Sequence, residues 1–285
     1  MRHATSLRVG PVTFRVGADW RGPVALVDAL YAGHPRAAAI PDFTVRLEAP
    51  RPWRRWVRPQ VAIAGDLTMP GALPLPLGHA LLAAEMAMNL QLALGWRRHL
   101  LLHAAVVERD GHAIVLTGES GAGKSTLAAL LTARGWRFLG DEFALLAPAT
   151  GLLHPHPRLL SLKNESVAAV AAASPGGHWG PWLRGTPKGD LRHLVPDARA
   201  LAAADLPARP ALILFPRFGA AAATRAVPTS EAFVRLTQAS TNYVALGEAG
   251  FVTLTRLVTD VPAIAIDYPD GAAGVAAVEA VWAAR

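Results

Sequence analysis

The sequence predicts an α/β fold, and three consecutive segments near the middle of the chain support this prediction. His112–Thr117 is a short apolar run of the kind that forms a buried strand. A glycine-rich loop follows at 118–123. Leu127–Arg134 consists of good helix formers, and Gly135 is placed to end the helix. This order is typical of an α/β core whose functional loop follows the carboxyl end of a strand.

The loop itself carries a phosphate-binding pattern. Residues 118–126 read Gly-Glu-Ser-Gly-Ala-Gly-Lys-Ser-Thr and match G-x-x-x-x-G-K-[ST]. Glycines let backbone N–H groups turn inward around phosphates, and the helix adds its positive N-terminal end. We therefore expect Lys124 to reach the β- and γ-phosphates of a nucleoside triphosphate, and Ser125 to bind Mg²⁺. The predicted binding residues are Gly118, Glu119, Ser120, Gly121, Ala122, Gly123, Lys124, Ser125 and Thr126.

The strand before the loop is predicted to belong to an antiparallel hairpin. Leu100–Val107 is a second apolar run, and Asp110-Gly111 between the two runs is a strong hairpin signal. A helix is predicted upstream over 77–94, and Ala211–Phe215 predicts a further buried strand downstream.

The rest of the chain is predicted in outline. Residues 1–76 form a β-rich accessory region, and residues 77–285 form the nucleotide-binding domain. The stretch 154–196 is expected to be rich in loops, and 174–182 within it fits either a mobile flap or an ordinary surface loop. Shorter predictions are a helix over Ser230–Gln238, a strand or short helix over Phe251–Leu257, a turn at Asp267–Asp270 and a helix over Gly274–Ala284.

Composition narrows the class of protein. At 285 residues and 52% hydrophobic, the chain can bury a large core, and its lack of cysteine excludes disulfides and thiolate metal sites. No apolar signal segment opens the chain, and the apolar stretch ending at Leu94 is interrupted by Glu85, Asn89 and Gln91. We expect a soluble cytoplasmic protein with no membrane partner. The net charge of +7 comes almost entirely from arginine and suits anionic partners.

Two acids follow the strand predicted after the loop helix. Asp141 and Glu142 end the run Arg137–Glu142, whereas Ala211–Phe215 leads into Pro216-Arg217 and supplies no carboxylate. The carboxyl end of a strand beside the loop is where a base or metal ligand reaches the γ-phosphate. We predict that Asp141 is functional; Glu142 fits the same site or a solvated turn.

Basic residues supply further candidates. Only three of the 28 basic residues are lysines, namely Lys124, Lys163 and Lys188. Lysine suits a site that needs a compact point charge, but it is equally common on a solvated surface. In Arg51–Arg58, cations alternate with tryptophans. This pattern fits a surface segment that covers the core, a docking face for an acidic peptide or, as the least favoured case, a nucleic-acid platform.

The order of these motifs resembles the HPr kinase/phosphorylase family. The resemblance rests on His103-Ala104, the hairpin, the loop at 118–126 and Arg137–Glu142. More narrowly, the chain is similar to the HPr-kinase-related group A proteins, small bacterial relatives linked to peptide modification. The resemblance implies a P-loop kinase core of the type shared with phosphoenolpyruvate carboxykinase, with the β-rich region added before it.

The resemblance also implies roles for individual residues. Asp141 matches the first acid of the family's pair, near the base or metal position, and Glu142 replaces the second. His103 matches a histidine near the γ-phosphate. Lys188 lies in a segment, with Arg184-Gly185, where the family contacts the site. The implied metal ligands are Ser125, Asp141 and Glu165.

The function predicted from these features is a kinase that uses ATP and Mg²⁺ to phosphorylate a hydroxyl, preferably serine, of a peptide or small protein. Ala104 and Thr126 replace a family glycine and glutamate, which argues against a conventional HPr kinase with reverse phosphorylase activity. The alternatives are a P-loop NTPase switch or adaptor without an acceptor, and a small-molecule kinase. A homo-oligomer is compatible with the resemblance.

Overall fold

The computed structural model describes residues 2–36, 40–68 and 71–285 as a mixed α/β protein with several sheets. The first sheet contains β1 His3–Val9, β2 Val12–Ala18, β3 Phe43–Glu48, β4 Gln60–Gly65 and β5 Leu75–Pro76. These strands lie side by side in chain order. Helix α1, Arg21–Leu30, connects β2 to the parallel strand β3. The described part of this region contains these five strands and also α1, which was not predicted.

Helix α2, Ala80–Gly95, packs against strands β3 and β4. Leu81, Met88 and Leu92 are buried in one core cluster with side chains of the first sheet. Polar Gln91 is buried as well, and its side-chain amide forms hydrogen bonds with both the N–H and the carbonyl of Leu67, at 2.9 and 2.7 Å. The predicted helix over 77–94 is confirmed, with a 3-10 turn at Leu77–His79 before α2.

The remainder of the chain alternates strands and helices. The strands are β6 Leu100–Leu102, β7 Ala104–Arg109, β8 His112–Thr117, β9 Arg137–Gly140, β10 Ala144–Leu146, β11 Leu153–His154, β12 Leu160–Lys163, β13 Leu183–Thr186, β14 Gly189–Leu194, β15 Arg209–Phe218, β16 Ala223–Ala226 and β17 Ala263–Tyr268. The helices are α3 Lys124–Ala133, α4 Glu165–Ala173, α5 Ala198–Ala202, α6 Thr229–Ala239, α7 Tyr243–Leu246, α8 Glu248–Asp260 and α9 Gly271–Ala283. Within the described ranges, no helix combines the length and apolar character that a bilayer crossing requires.

The central sheet has the order β16-β17-β15-β8-β7-β9. Strands β8, β15 and β17 are parallel, while β7 and β9 continue the sheet in antiparallel fashion. The predicted hairpin is confirmed, because Asp110 and Gly111 join β7 to β8 with φ values of 54° and 79°. The carboxyl ends of the parallel strands meet at one edge of the sheet, where the glycine loop follows β8.

Helices cover both faces of the central sheet. Alternate strand residues point to opposite faces, so Val115 packs with α6 and α8, whereas Ile114 packs with α3 and α9. The strand predicted over 211–215 lies within β15, and the ambiguous run 251–257 lies within helix α8.

Residues 154–196 contain more regular structure than predicted. Strands β12, β14 and β13 form a small sheet in that order, and α4 follows β12. The predicted flap, 174–182, is attached to this sheet, because Gly180 N–H donates to the His193 carbonyl at 2.8 Å and Val195 N–H to that of His178 at 2.9 Å. Loops therefore make up only part of this stretch, and its strands β12, β13 and β14, of four to six residues, give little periodic signal in the sequence.

Candidate active site

The loop at 118–123 needs glycine for its backbone conformation. Gly118, Gly121 and Gly123 have φ values of 146°, 88° and 92°. At Gly123 space is limiting as well, since a Cβ atom would lie 2.5 Å from the Tyr268 hydroxyl and 3.3 Å from Cβ of Phe218. Conformation and close contact therefore both disfavour a side chain at position 123.

Lys124 is the first residue of α3, and its side chain turns back into the loop. Its Nζ donates to the carbonyl oxygens of Gly118 and Glu119, at 2.8 and 2.9 Å. Burial lowers the pKa of Lys124, and the nearby carboxyl groups of Asp141 and Glu142 partly oppose that effect. The loop thus holds a cation among its backbone groups.

Ser125, the next residue of α3, joins the loop to the predicted acid. Its Oγ donates to Oδ1 of Asp141 at 3.0 Å, and Asp141 is buried with only 4% of its surface exposed. Burial raises the pKa of Asp141 to about 7, and the charge of Glu142 adds to the rise. The carboxyl group can therefore gain or lose a proton near neutral pH.

His103 and Glu142 come together because each lies at a break between two consecutive strands, and the two breaks are next to each other. His103 separates β6 from β7, while Asp141–Phe143 separate β9 from β10. Since β7 pairs with β9 and β6 with β10, the two breaks lie opposite each other. Glu142 has a φ of 73°, so the chain turns sharply there.

The contact between these residues defines the proton position on the imidazole. Nδ1 of His103 lies 3.1 Å from the Glu142 carbonyl oxygen and 3.6 Å from its Oε2. Burial lowers the pKa of His103; Glu142 partly opposes this effect, and the charges of Lys124 and Lys188 add to it. A neutral imidazole that donates from Nδ1 to the carbonyl leaves Nε2 as an acceptor on the site.

Lys188 lies at the exposed tip of the hairpin formed by β13 and β14. The Thr186 hydroxyl closes the tip, donating to the Gly189 carbonyl at 2.6 Å and accepting from the Lys188 N–H at 3.1 Å. Asp190 accepts from the side chain of Arg184 and from Gly185 N–H, at 2.6 and 2.9 Å. The segment with Arg184, Gly185 and Lys188 is thus a hairpin closed by these hydrogen bonds. The charge of Lys188 at its tip lowers the pKa of His103.

Glu165 is exposed at the first position of α4, directly after Lys163 and Asn164. Lys163 ends β12, and its charge lowers the pKa of Lys124. Within the described residues, no group of three or more His, Asp or Glu side chains is arranged to hold a metal ion. Any metal bound here would need oxygen ligands beyond the acids, such as Ser125 and phosphate.

Tyr268 and Phe218 line the loop, and the sequence analysis missed both. Their rings are edge to face at 5.9 Å, and the Tyr268 hydroxyl donates to the Ala122 carbonyl at 3.4 Å. Burial raises the pKa of Tyr268 to about 12. Tyr268 ends β17, in the stretch predicted to be only a turn. The available signal was the apolar run before it, whose carboxyl end lies beside the loop in a parallel sheet.

Comparison with known proteins adds two matches. The family model described as "ScmC: SynChlorMet cassette protein ScmC" matches residues 81–169, which include the loop and both acids but less than half of the chain. No curated protein matches the chain. Among solved structures, the Hpr(Ser) kinase/phosphatase from Coxiella burnetii matches at 14% identity with a TM-score of 0.30, over 65% of this chain and 99% of that one. So distant a likeness carries no inference about activity.

Proposed function

We propose that the chain is an ATP-dependent phosphotransferase that phosphorylates a hydroxyl, preferably serine, of a peptide or small protein. The observation that carries this proposal is the hydrogen bond from Ser125 to the buried Asp141. It joins the loop residue expected to bind Mg²⁺ to the acid expected to act as base or metal ligand. A phosphate loop with an adjacent carboxylate of pKa near 7 suits phosphoryl transfer.

The loop would bind the triphosphate through its backbone N–H groups and Lys124. In the structure, the Lys124 ammonium group is held by two loop carbonyls. We expect it to exchange these neutral partners for phosphate oxygens, which are stronger partners because they are charged. The N-terminus of α3 adds a favourable electrostatic contribution.

The donor set fits Mg²⁺, which prefers oxygen ligands and retains several from phosphate and water. Ser125 and Asp141 would contribute two oxygens, and Glu165 remains the predicted third ligand. When bound, Mg²⁺ would supply charge neutralisation on the phosphates. The burial of Asp141 supports this fit, because a bound cation would offset the cost of burying its carboxylate charge.

The proton of the acceptor hydroxyl would pass to Asp141, or to Glu142 if Asp141 serves as the metal ligand. As the acceptor oxygen bonds to the γ-phosphorus, the bond from phosphorus to the departing ADP oxygen breaks. Neutral His103 can orient the hydroxyl through Nε2, and Lys188 can stabilise the transferred group from the hairpin tip.

The experiment is label transfer from γ-labelled ATP with Mg²⁺ into host-cell extract and candidate precursor peptides. Wild type is compared with Lys124→Ala, Asp141→Asn and, as a matched control, Asp110→Asn in the exposed hairpin turn. A labelled peptide or protein that is lost with the first two variants and kept with the control would support the proposal. Free phosphate without any labelled acceptor would instead indicate an NTPase switch, and a labelled metabolite would indicate a small-molecule kinase.

A further inference from the structure

Two surface segments combine arginine with tryptophan. The first, here called the basic segment, is Arg51–Arg58, which includes a 3-10 turn at Pro52–Arg55. Trp53 and Trp56 are 51% and 72% exposed there, so they do not cover the core. The second, here called the hairpin segment, is Trp179–Arg192 and contains β13 and the tip with Lys188. Neither segment is explained by nucleotide binding.

In both segments an arginine guanidinium lies over an indole ring. The pairs are Arg51 over Trp53 at 5.3 Å, Arg55 over Trp56 at 5.8 Å, Arg184 over Trp182 at 4.2 Å and Arg192 over Trp179 at 5.2 Å. A guanidinium group over a ring keeps its N–H edges available for hydrogen bonds in its own plane. The N–H groups of such an arginine that have no partner within the described residues are therefore suited to carboxylate oxygens.

Most of the seven cations in the two segments lack an acidic partner among the described residues. Arg55 pairs with Asp19 at 2.9 Å, and Arg184 pairs with Asp190 at 2.6 Å. In the part of the chain that the structure describes, no carboxylate oxygen lies within 4.0 Å of the other cations, which are Arg51, Arg54, Arg58, Lys188 and Arg192. The surface carries a surplus of positive charge that a negatively charged partner would neutralise.

Two hydrogen bonds connect the two segments through the 3-10 turn Leu77–His79. Pro59, directly after the basic segment, accepts from Leu77 N–H at 3.0 Å. The 3-10 turn Leu77–His79 then leads to the hairpin segment, because Nε2 of His79 lies 2.9 Å from the Arg184 carbonyl oxygen. The tip of the hairpin carries Lys188, whose charge lowers the pKa of His103 in the candidate active site.

We propose that the basic and hairpin segments together bind an acidic segment of the acceptor polypeptide and lead its hydroxyl to Asp141. The proposal rests on the phosphotransferase function proposed above and specifies its substrate as a polypeptide with Asp or Glu near the phosphorylated residue. Stacked bases of a nucleic acid fit less well, because each indole already has a guanidinium over one face. Carboxylates need only the free edges of those groups.

The test uses a peptide that cannot itself be phosphorylated. A fluorescein-labelled peptide of about 12 residues, rich in Glu and lacking Ser, Thr and Tyr, spans about 40 Å when extended. Its binding to the full chain is measured by fluorescence anisotropy at about 50 mM salt. Arg54→Glu and Arg58→Glu are each expected to weaken binding by about threefold to tenfold, and raising the salt to about 0.3 M should also weaken it.

Arg285→Glu is the matched control, because Arg285 also lies over a tryptophan, Trp282, at 3.6 Å, and the charge change is identical. Equal weakening by this control would overturn the proposal, since only net charge would then matter. Tighter binding of a 12-nucleotide single strand, with the same sensitivity to the variants, would overturn it in favour of nucleic acid. Lys124→Ala should keep peptide binding. If the wild-type protein binds the peptide but transfers label to no acceptor, the phosphotransferase proposal fails while the proposed binding surface stands.

Discussion

Asp141→Asn is expected to increase the stability of the protein above neutral pH while removing phosphoryl transfer. The wild-type carboxyl group is buried beside Glu142 and accepts a hydrogen bond from Ser125. Asparagine has nearly the same shape and keeps an acceptor oxygen for Ser125, but it carries no charge. The substitution therefore removes the cost of burying a carboxylate and, at the same time, the group that would take the acceptor proton or hold the metal.

The magnitude follows from the shift in pKa. Folding raises the pKa of Asp141 from 3.8 to about 7, a change of about three units or about 4 kcal/mol. Below pH 3.8 the carboxyl group is protonated in both the folded and the unfolded state, so it does not oppose folding. As the pH rises from 3.8 through 7, the unfolded state releases the proton more readily than the folded state, and stability is lost. The gain from asparagine should thus be about 2 kcal/mol near pH 5 and should approach about 4 kcal/mol near pH 8. The attraction of Lys124, which is lost in the variant, reduces both values.

The assay is urea unfolding without nucleotide at about pH 5 and pH 8, for wild type, Asp141→Asn and the control Asp110→Asn. Label transfer is measured with the same preparations and is expected to fall by at least about 100-fold for Asp141→Asn. An equal gain in stability at both pH values, or a loss near pH 8, would refute the idea of a buried charge. Retained transfer would remove Asp141 from the mechanism.

Gly123→Ala should lower the free energy of unfolding by about 1–3 kcal/mol and weaken nucleotide binding, because φ is 92° and the new Cβ would lie 2.5 Å from the Tyr268 hydroxyl. An unchanged melting temperature together with unchanged nucleotide affinity would contradict this. Acidification below about pH 6.5 should destabilise the protein, since burial lowers the pKa of His99 to about 4 and of His156 to about 3. The neutral rings favour the folded state, so this stability is present above pH 6.5 and is lost as the pH falls towards 3; a flat unfolding free energy over this range would disprove it. Arg158→Met should lower the free energy of unfolding by about 3–5 kcal/mol, because it leaves Glu85 buried without its cation. The double variant with Glu85→Gln should be destabilised less, and a double-mutant cycle in urea would measure the difference.

Local signals explain what the sequence could predict about the fold and the site. The hairpin at Asp110-Gly111, the loop at 118–123 and the helix after it depend on glycine conformation and short-range periodicity, which a sequence displays directly. The hydrogen bond between Ser125 and Asp141 agrees with the expectation that the carboxyl end of the next strand lies beside the loop. Each of these predictions required neighbouring elements only.

Long-range register explains what the sequence could not predict. His103 contacts Glu142 because the break between β6 and β7 lies opposite the break between β9 and β10. This pairing of strands cannot be read from the residues of any one strand. Only the family resemblance suggested His103. Tyr268 was missed for the same reason, because its place beside Gly123 depends on β17 lying parallel to β15.

The contacts of α2 connect the N-terminal region to the residues after the phosphate loop. Glu85 on this helix forms a buried ion pair with Arg158, and the Tyr31 hydroxyl at the end of α1 donates to Glu85 at 2.8 Å. Hydrogen bonds from neighbouring groups offset part of the cost of burying this ion pair, although Arg158 Nε has no partner among the described residues. Removal of residues 1–76 would take Tyr31 from this pair and expose the face of α2 that packs on the first sheet. We therefore regard the N-terminal sheet as part of the structural support of the candidate site, because its core cluster also contains Leu183 and Leu191 of the hairpin that carries Lys188.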